Sequence, residues 1–226
     1  MKLLLTSAGL MNKVLIDALQ EMVLKPFGDL NAVFIPTAAN AEAGDKTWLI
    51  NDLHAAAQLK FKSLDVVDIA ALKPELSLKR IEGADVIFVG GGNTFYLSYW
   101  AQKSGLMDAL PELLKTKVYV GISAGSMIVT DNLRAQTFEN SRVLSDAEYE
   151  EFGPDGESST VTAKLVDFVV RPHLNSKWFP NIRIDNLEKI AKEINNTMYA
   201  LDDQSAVKVV DGIVTVVSDG TWQKFN

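Results

Sequence analysis

Six short runs rich in Val, Ile, Leu, Phe and Ala, at residues 2–6, 32–36, 63–69, 85–89, 118–122 and 164–170, alternate with amphipathic stretches of helical length. Strands that are apolar on successive residues have no side to offer water. They need cover on both faces, and the crossovers of a parallel sheet supply it. The spacing predicts helices over 10–23, 45–61, 94–103, 107–114, 126–133 and 182–194. The end of the chain differs: apolar runs at 206–210 and 213–217 flank Asp211-Gly212, the signature of a two-residue hairpin. The expected architecture is therefore α/β, a mostly parallel sheet with helices on both faces and a C-terminal antiparallel hairpin. A chain of 226 residues fits one domain spanning 1–226. The polar, irregular stretch at 134–160 reads as an insertion or flap.

Composition removes several chemistries. The chain has no cysteine and only His54 and His173 as imidazoles. Disulfides, thiolate metal sites and cysteine nucleophiles are out, and neither a metal nor another cofactor is expected. A net charge of −7 without a basic cluster argues against nucleic acid. No apolar run approaches the ~18 residues of a membrane span. The apolar run at residues 3–5 is too short for a signal peptide and reads as a buried first strand, so a cytoplasmic location is expected.

The most informative stretch is Val118-Tyr-Val-Gly-Ile-Ser-Ala-Gly-Ser126. A strand turning sharply into a helix strains its central residue and tolerates only small neighbours, which is the setting of an exposed serine nucleophile. Gly121, Ala124 and Gly125 are small, so Ser123 is the candidate, while Ser126 reads as a helix cap. A serine needs a base. His54 lies mid-helix, whereas Pro172 ends a strand just before His173, at the sheet edge where α/β sites assemble. The third member should be a carboxylate. An order of serine, acid, histidine would draw on Asp131, Asp146, Asp155 or Asp167, and the other order on Asp202 or Asp203. Gly90-Gly91-Gly92 ends the preceding strand, where backbone N–H groups of Gly91 or Gly92, with that of Ala124, suit an oxyanion hole. Asn93 or Thr94 then caps the following helix. Phe95, Tyr96, Tyr99 and Trp100 read as core, and Trp178 and Phe179 are weaker candidates to line a pocket.

Gly-Gly-Gly-Asn-Thr-Phe, then Gly-x-Ser-Ala-Gly-Ser one strand later, then a histidine and Leu-Asp-Asp-x-Ser-Ala, resembles the dipeptidase E family of serine peptidases. These are also called aspartyl dipeptidases and are related to cyanophycinases. The resemblance implies a fold like that of class I glutamine amidotransferases, with serine in place of their cysteine. It implies a triad in the order serine, histidine, acid, which falls on Ser123, His173 and Asp203. The family's acid is often glutamate; aspartate is one methylene shorter, so the loop must come closer to His173, or Asp202 serves instead. The implied substrate is a small peptide, with N-terminal aspartate in the characterised activity, and Arg183 is the nearest match to the arginine that binds that side chain. Asn93 and Thr94 join it as candidate substrate contacts. An esterase or amidase on the same triad, a cyanophycinase-like role and a non-catalytic binding homologue remain alternatives. Whether the chain forms a homodimer is left open.

Overall fold

A computed structural model of the chain describes residues 1–133 and 156–226. The first stretch runs β1 (Lys2–Thr6), α1 (Lys13–Val23), β2 (Asn31–Ile35), α2 (Thr47–Gln58), β3 (Ser63–Val66), α3 (Pro74–Glu82) and β4 (Val86–Val89). It continues with α4 (Thr94–Lys103), α5 (Leu106–Leu113), β5 (Val118–Ile122) and the single turn α6 (Ala124–Met127). The second stretch holds β6 (Val169–Arg171), α7 (Ile184–Ala191), β7 (Met198–Leu201), β8 (Ser205–Val210), β9 (Ile213–Ser218) and β10 (Trp222–Phe225).

Seven strands form the main sheet in the order β3-β2-β4-β5-β1-β8-β9. The five strands from β3 to β1 are parallel, and β8 and β9 complete the sheet antiparallel. Alternate residues of each strand feed opposite cores, as the two-residue period requires. Leu3, Leu5, Ile87, Val89 and Tyr119 face α4 and α5. Leu4, Phe34, Phe88, Val120 and Ile122 face α1 and α2. The mostly parallel sheet covered on both faces is thus the expected one. So is the hairpin: Asp211 and Gly212, with φ of 50° and 86°, form the two-residue turn that pairs Val210 with Ile213. Among the described residues no helix is long and apolar enough to cross a membrane.

Three departures have physical reasons. The run at 164–170 does not join the main sheet. Lys164 is left-handed (φ 48°), and the N–H groups of Ala163 and Leu165 donate to the carbonyls of Ile128 and Val129. Only Val169–Arg171 is strand, in a separate sheet of order β10-β7-β6 with α7 packed on it. The helix expected at 126–133 is one turn, because β-branched Ile128-Val129-Thr130 propagates a helix poorly and the carbonyls of Ile128 and Val129 accept from Ala163 and Leu165 instead of from a following helical turn. Helix α3 and strands β7 and β10 were not anticipated. Of the irregular stretch at 134–160, residues 134–155 lie outside the described part.

Candidate active site

The site grows from the carboxyl end of β1, which lies between β5 and β8. The register sets Thr6 opposite Ile122 on one side and Ala206 on the other. One residue further along, Ser7 donates its N–H to the Ser205 carbonyl (3.2 Å), and the Thr6 carbonyl accepts from the N–H of Ser123 (3.1 Å). The end of β1 therefore fixes both the elbow after β5 and the loop before β8.

Ser123 sits at φ 49°, ψ −108°, a conformation that L-residues adopt only under constraint from their surroundings. The flanking glycines are needed for space. A Cβ on Gly121 would lie 2.7 Å from the Ser126 backbone, and one on Gly125 would lie 2.7 Å from the Val89 carbonyl carbon and nearer still to its oxygen. The buried Tyr119 hydroxyl donates to the Gly125 carbonyl (2.6 Å) and pins the turn from below. Ser126 is no cap: it is fully buried and its hydroxyl donates to the Thr6 carbonyl (2.7 Å).

His173 follows Pro172 with a left-handed backbone (φ 66°). Its Nε2 lies 2.9 Å from the Ser123 Oγ, and its Nδ1 lies 2.7 Å from Asp203 Oδ1. Burial alone would raise the Asp203 carboxyl, but the hydrogen bond from the His173 ring, the attraction of that ring in its protonated form and the bond from Ser7 outweigh it and hold the group below the usual carboxylate range. An ionised carboxylate only accepts, so Nδ1 carries the ring proton and Nε2 is left to accept from the serine hydroxyl. Phe179 stacks on the imidazole with centroids 4.5 Å apart and planes 14° apart. Asp202 points elsewhere: its Oδ1 accepts from the Gln204 N–H (3.0 Å) and the Ser205 hydroxyl (2.6 Å), closing the turn into β8.

The loop after β4 borders the serine. A Cβ on Gly91 would stand 3.3 Å from Ser123 Cβ, and Trp48 of α2 approaches the same point at 3.9 Å. Gly92 has φ 127°, and a Cβ there would lie 2.7 Å from the Ala39 backbone nitrogen, so no other residue fits. The Asn93 N–H is tied to the Ala38 carbonyl (3.0 Å) and its side chain caps α4 at Tyr96 (2.9 Å). Thr94 is buried, its hydroxyl against Met127 sulfur. The N–H groups of Gly91, Gly92 and Ala124 make no hydrogen bond to another described residue.

Not every candidate converges. The Arg183 guanidinium donates to the carbonyls of Ile182 (2.9 Å), Phe179 (3.1 Å) and Ser176 (3.2 Å), where it holds the loop behind His173. Trp178 is 76% exposed. His54 is exposed on α2 beside Gln58, and Asp131 binds Asn132 and Asn196. Asp146 and Asp155 lie outside the described residues. Sequence reasoning passed over Ser7 and Trp48. Ser7 donates to Asp203 Oδ1 (3.0 Å) and accepts from the His173 N–H (2.8 Å). Its signal was a Thr-Ser pair ending an apolar strand, too common to single out without the sheet order.

Comparison with known proteins adds to this geometry. The family model described as peptidase family S51 matches residues 3–217. An uncharacterized peptidase of Listeria monocytogenes is 27% identical over 179 residues, 77% of this chain and 79% of that protein. Peptidase E of Escherichia coli is 29% identical over 134 residues, 58% of this chain and 56% of that protein. Among solved structures, a candidate peptidase E from L. monocytogenes has a TM-score of 0.75 at 24% identity, covering 97% of this chain and 98% of that one. A peptidase from an acI-B1 Actinobacterium has a TM-score of 0.70 at 21% identity, covering 99% of this chain and 93% of that one.

Proposed function

From the premise that this chain belongs to peptidase family S51, we infer that it hydrolyses small peptides by acyl transfer through Ser123, His173 and Asp203. That it is a peptidase of the serine type follows from the family; the residues and the steps are our reading. The observation that carries it is the unbroken line of hydrogen bonds from Ser123 Oγ through the imidazole to Asp203, 2.9 Å and 2.7 Å long.

In this reading Ser123 attacks the scissile carbonyl carbon while Nε2 of His173 takes the hydroxyl proton. Asp203 holds the ring in its tautomer and stabilises the imidazolium. The N–H groups of Ala124 and of Gly91 or Gly92 receive the oxyanion, a contribution on the order of 3 kcal/mol for each well-placed donor. The imidazolium returns its proton to the leaving amine, and water activated by the same ring releases the acid product from Ser123. Neither a metal nor another cofactor enters any step. Asn93 and Thr94 contribute by shaping the glycine loop, and Arg183 by shaping the loop that carries Phe179. With its guanidinium on three carbonyls, Arg183 gives no separate support to a preference for N-terminal aspartate.

The test is hydrolysis of a panel of X-Leu dipeptides, Asp-Leu included, followed by mass spectrometry with Ser123→Ala as the blank. Cleavage that disappears in the variant supports the reading, and the preferred X defines the substrate. Substantial cleavage by a clean Ser123→Ala preparation overturns it, and turnover of simple esters alone would move the activity to an esterase.

A further inference from the structure

Ser7 touches two of the three residues assigned above. Its hydroxyl accepts from the backbone N–H of His173 (2.8 Å) and donates to Asp203 Oδ1 (3.0 Å), the same oxygen that receives the imidazole Nδ1–H. Its own N–H is held by Ser205, two residues past that aspartate, while the adjoining Thr6 carbonyl holds the N–H of Ser123. The side chain is fully buried, so water does not compete for it. Once the oxygen accepts from His173, its proton is left to the carboxylate. This also rules the hydroxyl out as a second nucleophile, because it is enclosed and its proton is committed.

We propose that Ser7 is a positioning residue of the site, a hydroxyl that fixes the Asp203 carboxylate and the His173 backbone relative to each other. The proposal rests on the triad reading given above. It supplies what a short acid requires. Aspartate reaches one methylene less far than glutamate, and a left-handed histidine backbone needs an external hold to stay in place. One buried hydroxyl bonded to both meets the two demands. Ser7 acts through these groups and has no contact with substrate in this scheme.

The test uses full-length protein and the rate at which a fluorophosphonate labels Ser123, a readout that needs the activated serine and no knowledge of the natural peptide. Wild type, Ser7→Ala, Asp203→Ala and the double variant are compared as a cycle. Ser7→Ala is expected to slow labelling between about 10-fold and 100-fold, the cost of sub-ångström to ångström misplacement in a catalytic group. In the Asp203→Ala background the same change should have less than a threefold effect. On a cleaved peptide, kcat should fall with KM unchanged. The downfield proton of His173 Nδ1–H, one of only two histidines in the chain, should broaden or move upfield in Ser7→Ala.

Equal losses in both backgrounds, with an unmoved Nδ1–H signal, would make Ser7 a structural residue only and overturn the proposal. Unchanged labelling by Ser7→Ala would overturn it while the triad stands. If wild type is not labelled at Ser123 at all, the triad reading fails and the role of Ser7 falls with it. Should Ser7→Ala unfold, Ser7→Cys, which keeps a weak donor and acceptor, is read by the same cycle.

Discussion

Gly125→Ala probes the elbow where space is scarcest. The added methyl would lie 2.7 Å from the Val89 carbonyl carbon and 3.1 Å from its Cβ, and closer still to the carbonyl oxygen, against a floor of about 3.0 Å for real Cβ contacts. The obstacle is the backbone of β4 in mid-sheet, so the turn has to lift by roughly 1 Å. Overpacking of this kind costs about 1–3 kcal/mol. Lifting also pulls the Gly125 carbonyl from the buried Tyr119 hydroxyl (2.6 Å), and leaving that donor unmet costs a further ~1–3 kcal/mol. A loss of about 3 kcal/mol in urea unfolding is therefore expected. The same lift carries Ser123 off its 2.9 Å contact with His173, and about 100-fold in labelling rate and kcat/KM goes with such a displacement. Gly28→Ala, at an exposed position whose nearest neighbour would be 3.8 Å away, is the control and should change neither. A Gly125→Ala protein within about 0.5 kcal/mol of wild type that labels at the normal rate would refute the steric reasoning.

Asp203→Asn should lower kcat by about 10³- to 10⁴-fold through loss of the correct tautomer. Asp202→Ala should instead cost about 1–3 kcal/mol of stability with under tenfold change in kcat, since it breaks the turn into β8 and the hold on the Thr221 N–H but no contact with His173. Reversed effects in paired assays would exchange the two roles. Asp52, half-buried on α2, has its carboxyl pushed up to about 7 by burial. Between pH 4 and 7 the unfolded chain gives up this proton and the folded one keeps it, so the stability it contributes at low pH is lost as pH rises. Asp52→Asn should match wild type near pH 4 and exceed it above pH 7 by on the order of 2 kcal/mol, after allowance for partial exposure. A difference that does not vary with pH in thermal melts would contradict this. Phe179→Ala removes the ring stacked on His173 and should cost about 1 kcal/mol together with part of kcat, read by the labelling assay.

The centre of the main sheet was legible because β1, β2, β4 and β5 are nearly continuous apolar runs that leave no alternative to double burial. The edges were not. Strands β7 and β10 have four residues each, and Trp222-Gln-Lys-Phe has no apolar face of its own until it pairs with β7. Helix α3 hides because it buries little beyond Ser77 and Ile81, although Pro at its start and Gly83 at its end mark it. At the site, Ser123 announced itself by the size of its neighbours, and His173 by the proline that ends its strand. The choice between Asp202 and Asp203 depends on which way a turn faces, and adjacent residues in a turn carry no such information in their order. Ser7 was illegible for a related reason: its partners lie 166 and 196 residues away, and only the strand order brings them together.

That strand order has a consequence for how the molecule is made. β1 leaves the ribosome before the other strands of its sheet, yet its place is in the interior, with β5 on one flank and β8 on the other. The first flank is available once residue 122 has been synthesised; the second must wait for residue 210, the end of β8. The chain's own growth is therefore a timer. A nascent chain that already displays the serine elbow still lacks the proposed acid, which arrives on the segment that closes the sheet. In the proposed scheme, an unfinished chain holds Ser123 without the acid that completes its activation.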